Sequence, residues 1–485
     1  MRVVLLGFLS LTTILAAQIK PQAARNLLVI TNVNVVNTRT GTIEPNLTVV
    51  IKNGRIASIA KLALIGGSPR DLIVNGSGKY LIPGLWDMHV HSAGGPGAPW
   101  DAKILFPLYI ANGITGIRDM GGDLALLQQR RKQIESGEIV GPRMFFAGPF
   151  LDGGKPGDYK IAVNTPEEGR AAVDLLKSKH VDFIKVLSQL SRDTYFAIAD
   201  QAKKDKLPLV GHVPRTVSVA EASAVGQKSV EHLSGVLEAC SRDEIALRKV
   251  RLAALDNGDA KAYHESGMQT LATYDPDKAW HLFGQLTDNV TWQVPTLVWW
   301  RAQASTAESV VASDASLRFV PADARKEWEP AKPAEQAVAE DPAADVKKVF
   351  AQYITITGSM RKAGNYILAG TDSPDPHVMP GFSLHDELEL LVQSGFTPFQ
   401  ALQSATFYPA LFFAQLNHYG VVEPTRQADL VLLDGDPLQD IRNTRKISAV
   451  VMDGRYYSRA ILDRMLVQAA AVAENSGLSP VSGAK

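Results

Sequence analysis

Short runs of β-branched residues separated by turn residues fill both ends of the chain. Residues 26–82 contain LLVITNVNVVN and LTVVIKNGRIASIA, with Asn53-Gly54 as a hairpin turn, and this pattern is typical of antiparallel strands. Two similar runs, ADLVLLDGD and ISAVVMDGRYY, lie within residues 418–460. We therefore predict that both ends of the chain combine into one small, discontinuous β-sandwich domain.

Between the two ends, short strand candidates alternate with stretches of helical periodicity. The candidates are the strand that enters HVH, then ITGIRDM, PRMFFAG, VDFIKVL, LPLVGHV, KSVEHLS, WQVPTLVWW and YILAGTD. These eight candidates in β/α order predict an α/β protein with a (β/α)8 TIM barrel, a fold that needs ~250 residues. We assign residues 83–417 to this barrel and residues 461–485 to a C-terminal tail that begins as a helix.

Insertions at about residues 235–346 interrupt the predicted barrel. One is a long polar helical segment, and the other is rich in Ala, Glu, Asp and Pro. Insertions of this size after barrel strands usually cover the C-terminal face, where the active sites of such barrels lie. Their composition is equally consistent with a lid over the active site and with a solvent-exposed loop or an oligomer contact.

Residues 1–20 are predicted to be a secretory signal peptide. They carry one positive charge, Arg2, and then an apolar run from Val3 to Ala17, which is too short to span a bilayer comfortably. We expect a secreted or periplasmic protein with no stable membrane insertion once the signal is removed. The alternative is an uncleaved N-terminal anchor.

The charge balance and the cysteine count exclude several functions. Fifty Lys+Arg residues balance fifty Asp+Glu residues, so the formal net charge is zero, which argues against nucleic-acid binding through a broad basic surface. The single cysteine, Cys240, can form neither an internal disulfide nor a Cys-rich metal site. Any metal must then be held by His, Asp, Glu or a modified side chain.

Three residues on strand candidates indicate a metal site. His89 and His91 lie two positions apart, so on a strand both imidazoles face the same side. Lys185 stands inside the apolar run VDFIKVL, where an unpaired ammonium is costly. It can snorkel towards solvent, or its neutral amine can react with carbon dioxide to give an anionic carbamate that bridges two metals.

Three more candidate ligands follow at the ends of later strand candidates. His212 lies in LVGHVP, His232 in SVEHLS and Asp372 in ILAGTDSPDP. Imidazole and oxygen-anion ligands suit a borderline divalent ion such as zinc. The carbamate, Asp372 and a bridging hydroxide would balance most of the charge of two divalent ions and leave the site electrophilic toward a carbonyl.

These motifs resemble the amidohydrolase superfamily, and within it the prolidase-like and imidazolonepropionase-related group. The similar text includes LIPGLWDMHVH, ANGITGIRDMGG, DFIKVL, VEHLSG, AGTDSPDP and SGFTPFQALQSATFYPA. It spans residues 27–457 except for the insertions at about residues 235–346. The resemblance implies two divalent ions, the first bound by His89, His91 and Asp372, the second by His212 and His232, with carboxylated Lys185 as the bridge.

The resemblance also implies the reaction. A metal-bridging hydroxide would attack the amide carbonyl of a dipeptide or N-acyl amino acid, and Asp372 would carry the proton to the leaving nitrogen. Lactones, phosphotriesters and cyclic amides, the last as in imidazolonepropionase, stay alternatives because the same hydroxide attacks them. A non-catalytic barrel scaffold would have lost ligands, and all six are present. We expect a small-molecule or peptide substrate and a homo-oligomer.

Six further residues have weaker assignments. His377 and His385 follow Asp372 closely, so they could reach the barrel mouth and touch substrate. Glu231 could support a neighbouring ligand, although a surface carboxylate is the favoured interpretation. Trp292, Trp299 and Trp300 flank the seventh strand candidate, where they are expected to pack in the core, with a substrate wall as the alternative.

Overall fold

The computed structural model describes most of the chain between residues 27 and 476. The described ranges are 27–61, 68–94, 100–305, 315–325, 328 and 342–476. The predicted signal peptide, part of the second predicted insertion and the end of the predicted C-terminal tail lie outside the described residues.

Strands and helices follow each other in the order of an α/β protein. The strands are β1 (Leu28–Asn37), β2 (Thr42–Lys52), β3 (Arg55–Ala60), β4 (Leu72–Asn75), β5 (Tyr80–Pro83), β6 (Leu85–Val90), β7 (Ile114–Asp119), β8 (Arg143–Phe146), β9 (Phe150–Asp152), β10 (Lys160–Ala162), β11 (Ile184–Val186), β12 (Leu209–Gly211), β13 (Ser229–Glu231), β14 (Trp292–Val294), β15 (Leu430–Leu433), β16 (Ile447–Met452) and β17 (Arg455–Ser458). The α-helices are α1 (Ala102–Ala111), α2 (Leu124–Glu135), α3 (Pro166–Ser178), α4 (Arg192–Lys204), α5 (Val219–Ala224), α6 (Val236–Ala239), α7 (Glu244–Asp256), α8 (Ala260–Ala272), α9 (Pro276–Asp288), α10 (Leu297–Ala304), α11 (Pro342–Lys362), α12 (Phe382–Gln393), α13 (Pro398–Ser404), α14 (Phe407–Phe412) and α15 (Arg459–Asn475).

Strands from both ends of the chain form one eight-stranded sheet, in the order β17-β16-β15-β5-β1-β2-β3, with β4 beside β1. In β15, which pairs antiparallel with β5, successive side chains point to opposite faces. Leu430 and Leu432 therefore enter a core within this sheet region, whereas Val431 and Leu433 enter the large core shared with the parallel strands. The two ends are thus joined through one buried strand, while the predicted domain boundaries stay a prediction.

The remaining sheets are parallel. One has the order β6-β7-β8 and the other the order β10-β9-β11-β12-β13-β14. Each neighbouring pair in them runs parallel. Because the carboxyl ends of parallel strands within a sheet point the same way, side chains that follow these ends gather on one face.

Residues 366–373 connect the two parallel sheets. Leu368 N donates a hydrogen bond to the Gln293 carbonyl in β14, and Met88 N in β6 donates to the Ala369 carbonyl. The predicted strand YILAGTD is therefore backbone between two sheets, with isolated bridges in place of a regular ladder. The pairing within the described ranges gives an α/β fold with two parallel sheets, without a single closed sheet.

The seventh strand candidate, WQVPTLVWW, is shorter than predicted. Only β14 is a strand, because Pro295 has no N–H to donate and Thr296 adopts a left-handed φ of 46°. Helix α10 begins directly afterwards, where Glu387 Oε2 accepts a hydrogen bond from Val298 N at 2.7 Å. Trp299 is therefore a helical residue.

The first predicted insertion is helical, as its periodicity indicates. Helices α7 and α8 pack against each other, and α15 at the start of the predicted tail packs on α1. Among the helices that the structure describes, none is long and apolar enough to cross a membrane.

Candidate metal centre

Three of the predicted ligands meet at the carboxyl end of β6. The Nε2 atoms of His89 and His91 each lie 3.2 Å from Oδ1 of Asp372. One donor atom from each residue lies within 4.8 Å of the others, and all three residues are buried. The alternation along the strand explains why both imidazoles face this point.

Two polar atoms of this cluster lack a hydrogen bond within the described part of the chain. They are His89 Nε2 and Asp372 Oδ1, and both are buried. A buried polar atom without a partner is costly, and a divalent cation between an imidazole nitrogen and a carboxylate oxygen satisfies both. The donor set therefore fits a divalent metal ion.

The neighbouring strand holds Asp372 in place. The Asp87 carboxylate in β6 accepts hydrogen bonds from Thr371 N at 3.0 Å and from Thr371 Oγ1 at 2.6 Å. Asp372 has a left-handed φ of 70°, a backbone conformation that non-glycine residues adopt mainly at functional or strained positions. Burial alone would raise the pKa of Asp372, but His89 and His232 hold it well below its ordinary value. Asp372 is therefore a carboxylate.

His212 and His232 form a second group of imidazoles beside the first. Their ring centroids are 5.2 Å apart, and His232 Nε2 lies 3.8 Å from Asp372 Oδ2. Their Nδ1 atoms make hydrogen bonds with Ser188 Oγ at 2.9 Å and with Thr296 Oγ1 at 2.8 Å respectively, which leaves the Nε2 atoms for ligation. Burial lowers the pKa of His232 to about 3 and that of His212 well below its ordinary value, so both rings are neutral, as metal ligation requires.

Lys185 is buried beside these histidines, with 1% of its surface exposed. Burial lowers the pKa of its amine to about 8, so the neutral amine exists near neutral pH. The lysine passes close to Gly211, where an added Cβ would lie 3.0 Å from Lys185 Cδ and 2.2 Å from the Val186 carbonyl oxygen. Gly211 also has a φ of 127°, so a glycine before His212 is required for both reasons.

Glu231 is a buried partner of His89, and the favoured interpretation as a surface carboxylate is wrong. Its Oε2 accepts hydrogen bonds from His89 Nδ1 at 2.9 Å and from Arg118 Nη2 at 2.8 Å. Burial would raise the pKa of Glu231, but Arg118 and His89 hold it far below its ordinary value. The anionic carboxylate keeps the Nδ1 proton on His89, and Nε2 remains the atom that can bind a metal.

Arg118 is a buried partner of the site that was not predicted, although its sequence context is informative. Arg118 is completely buried in the strand candidate ITGIRDM, and a cation on a strand candidate is the feature that singled out Lys185. Its Nε donates to the Met88 carbonyl at 2.6 Å and its Nη1 to Ser229 Oγ at 3.0 Å. Arg118 therefore links β6, β7 and β13 beneath the cluster.

Of the two remaining histidines, His385 does not reach the mouth. Its ring nitrogens make hydrogen bonds with Thr444 Oγ1 at 2.9 Å and with the Asn112 carbonyl at 3.1 Å. Asn112 precedes β7, so His385 packs at the opposite end of the strands and the expected substrate contact is wrong. His377 is half-buried, with its ring centroid 5.8 Å from that of Trp328, and its contact with substrate stays a prediction.

Trp299 lies at the candidate site instead of entirely in the core. Its ring centroid is 5.5 Å from that of His232, and its Nε1 donates to Asp375 Oδ2 at 2.5 Å. The side chain is only partly buried. The ring also packs against the main core, as expected, and the alternative of a substrate wall stays a prediction.

Imidazoles, a lysine and a carboxylate thus gather on the parallel sheets of an α/β protein, in a site that fits divalent metal ions. The model of the amidohydrolase family matches residues 80–456, and the chain belongs to this family. The protein is a hydrolase that acts on carbon–nitrogen bonds of small-molecule or peptide substrates, and the resemblance that its motifs indicate is confirmed.

Several solved structures share this fold. The chain is 22% identical to a putative prolidase from Bifidobacterium longum, with a TM-score of 0.62, and the match covers 92% of this chain and 99% of that one. It is 22% identical to bottromycin amidohydrolase, with a TM-score of 0.69 and coverage of 92% and 91%. A Xaa-Pro dipeptidase with bound methionine in its active site is 21% identical, with a TM-score of 0.62 and coverage of 89% and 100%. Comparison with curated protein sequences gives no match.

Proposed function

We propose that this protein is a binuclear metal-dependent amidohydrolase that cleaves the amide bond of dipeptides or N-acyl amino acids. The observation that carries the proposal is the buried cluster of His89, His91 and Asp372, with two polar atoms that lack a hydrogen bond among the described residues. Two structures of similar fold are described as a prolidase and a Xaa-Pro dipeptidase, which supports a dipeptide as substrate.

The proposed architecture is a (β/α)8 barrel that closes through residues 366–373. These residues make hydrogen bonds to β14 on one side and to β6 on the other, which supports the closure. A barrel would bring every candidate ligand to the same C-terminal face. The discontinuous domain from residues 26–82 and 418–460 would lie beside it.

Two half-sites would hold two divalent ions, with zinc as the expected metal. His89, His91 and Asp372 would form the first half-site, and His212 with His232 the second. Lys185 would bridge them after its neutral amine adds carbon dioxide and releases a proton, which leaves a carbamate anion. Its burial and its lowered pKa support this modification.

The chemistry divides between the ions and the protein. Divalent ions in these sites would lower the pKa of a water molecule and polarise the scissile carbonyl. Asp372, a carboxylate beside His89 and His91, would accept the proton of the attacking water and deliver it to the leaving nitrogen. Glu231 would keep His89 in the tautomer that binds metal, and Trp299 would form one wall for the substrate.

We also propose that residues 1–20 direct export of the protein to the periplasm or beyond. The single positive charge of Arg2 and the apolar run behind it support this proposal. N-terminal sequencing of protein recovered from the periplasm or the medium should begin after the apolar run. Recovery of the full chain from the membrane fraction would instead indicate an uncleaved anchor.

Metal analysis combined with a substrate panel tests the proposed function. Protein purified without chelator should contain about two equivalents of divalent metal, because two half-sites share one bridge. It should hydrolyse members of a panel of N-acyl amino acids and of Xaa-Pro and Xaa-Arg dipeptides, lose activity with a chelator and regain it with added zinc. Full activity with a single equivalent would contradict the binuclear site. Turnover restricted to lactones, phosphotriesters or cyclic amides would contradict the substrate class.

A further inference from the structure

A cavity of about 190 Å³ adjoins the candidate metal centre. It lies between the loops that follow β11, β12 and β13 and the two helices α7 and α8 of the first insertion. Its polar lining includes Arg215, Arg248, Arg251, Tyr263 and Glu238.

The cavity is lined by residues that neighbour His212 and His232. Ser188, whose hydroxyl makes a hydrogen bond with His212 Nδ1 at 2.9 Å, is one of its lining residues. Val213 and Ser234 also line it, and they follow His212 and His232 closely along the chain. A group bound in this cavity would therefore lie beside the loops that carry His212 and His232.

The lining is positively charged overall, since three arginines face one carboxylate. Arg248 is neutralised, because its Nε lies 2.7 Å from Glu238 Oε1 and its Nη2 lies 2.7 Å from Glu244 Oε1. Arg251 contacts Glu238 only at 3.4 Å. Arg215 is exposed and has no ion pair with any residue that the structure describes. Arg215 thus remains available to an anion, and Arg251 shares Glu238 with Arg248 through one long contact.

Arg251 and Tyr263 form a preorganised pair on the facing helices α7 and α8. Arg251 Nη2 donates to the Tyr263 hydroxyl oxygen at 3.1 Å, so the hydroxyl hydrogen of the tyrosine is available to another acceptor. The guanidinium also lies over the tyrosine ring, 4.9 Å from its centroid. A guanidinium held in place beside a neutral O–H donor matches the two oxygens of a carboxylate.

We propose that this cavity binds a carboxylate of the substrate, with Arg215 and Arg251 as the cationic partners and Tyr263 as a neutral donor. The inference rests on the proposed amide hydrolysis and deepens it, because it selects amides that carry an acid group near the scissile bond over neutral amides. Arg251 and Tyr263 lie on the insertion where the resemblance in sequence motifs stops. The selectivity is therefore encoded by this chain's own helices.

Matched substrates that differ only in the carboxylate test this site. One pair is L-methionyl-L-proline and L-methionylpyrrolidine, and the other is N-acetyl-L-phenylalanine and N-acetylphenethylamine. The wild-type holoenzyme should favour the acid of each pair by about tenfold or more in kcat/KM, as expected for a charge-assisted hydrogen bond. Arg215→Gln and Arg251→Gln should each remove about tenfold from kcat/KM for the acid, mainly through KM, and leave the neutral analogue within about twofold. Tyr263→Phe should cost less, because it removes one neutral donor.

The insertion offers a matched control in Lys261, which lies on α8 with 81% of its side chain exposed. Lys261→Gln removes the same charge from the same insertion and should leave the discrimination unchanged. Equal losses for the acid and its neutral analogue in both arginine variants would overturn the site, because the arginines would then only support the fold. Arg215 is exposed, so its substitution is compatible with folding even if that of Arg251 is not.

Direct binding separates this inference from the proposed function. Calorimetric titration of the holoenzyme with 3-phenylpropanoate and with 3-phenylpropanol should show binding of the acid that weakens about tenfold in Arg251→Gln and Arg215→Gln. This result would support the site even if no amide of the panel were hydrolysed, in which case the proposed function alone fails. Equal affinity in wild type and both variants would overturn the site. Inhibition by 3-phenylpropanoate should be competitive with methionylproline, whereas non-competitive inhibition would assign the cavity to a free carboxylate and contradict a substrate subsite.

Discussion

The buried Arg118–Glu231 pair provides a strong test of how the metal centre is held. We predict that Glu231→Gln lowers the free energy of unfolding by ~3–5 kcal/mol, because it leaves Arg118 as an uncompensated buried cation. Neither side chain is exposed, and their closest atoms are 2.8 Å apart. The exposed Arg170–Asp200 pair is the control, since Asp200→Asn should cost only ~0–1 kcal/mol.

Metal affinity should fall for a separate reason. Glu231 accepts the Nδ1 proton of His89 at 2.9 Å, and loss of such a supporting partner typically weakens metal binding ~10–100-fold. The double variant Arg118→Met/Glu231→Met separates the two effects. It removes both charges, so most of the lost stability should return, whereas His89 still lacks its anionic acceptor and the metal affinity should stay low.

Guanidinium unfolding followed by tryptophan fluorescence measures the stability of each variant, and competition with a chelator measures its metal affinity. All proteins must be compared at the same free-metal concentration, since bound metal itself stabilises the folded state. A Glu231→Gln protein that is as stable as Asp200→Asn and binds metal as tightly as wild type would refute the reasoning. A double variant with full metal affinity would refute only the orienting role of Glu231.

Three further predictions follow from individual side chains. Lys185→Ala should lose metal and activity together, and a short added carboxylate should restore part of both because it supplies the anionic oxygens of the bridge; unchanged turnover would show that Lys185 is only a core residue. Asp372→Asn should keep substrate affinity and lose ~100- to 10,000-fold in turnover, with metal content measured alongside; if the variant keeps two metals and more than about a tenth of the wild-type rate, Asp372 is not the proton carrier. Burial raises the pKa of Glu387 from 4.5 to about 8, so between these values the folded state binds more protons than the unfolded state and stability falls as pH rises. Glu387→Gln should therefore flatten the decline of the urea midpoint between about pH 5 and pH 8, and parallel curves for wild type and variant would contradict the raised pKa.

Local patterns were sufficient to predict most of the candidate ligands. The strand period places His89 and His91 on one face, and the cost of a charge in an apolar run singles out Lys185. Asp372 also follows its predicted segment at the expected place. That segment is not a regular strand, because its backbone hydrogen bonds go to two different sheets. No local sequence pattern shows which sheets a segment will pair with.

The supporting residues could not be predicted in the same way, because their roles depend on pairing across the fold. Glu231 and Arg118 are 113 residues apart in the chain, and an acidic residue next to His232 resembles any exposed carboxylate until its partner is known. Trp299 was assigned to a strand, whereas Pro295 ends that strand and the indole is carried on α10 beside His232. In both cases the sequence shows the residue type, but it does not show which side chains lie next to it in the fold.

The candidate metal ligands lie at or near strand ends, whereas two of the proposed carboxylate-binding residues lie on inserted helices. The candidate ligands Asp372 and His232 have left-handed φ values of 70° and 58°, conformations that persist only where the surrounding hydrogen bonds over-determine them. Substitutions around these strand ends should therefore damage metal binding and catalysis together. Arg251 and Tyr263 instead lie on α7 and α8, which supply no candidate ligand, so their side chains can change without disturbing the metal centre. On this reasoning, selectivity for the acid group of the substrate and the hydrolytic chemistry are separable, and Arg251→Gln should alter the first while it leaves the metal content of the protein at the wild-type level.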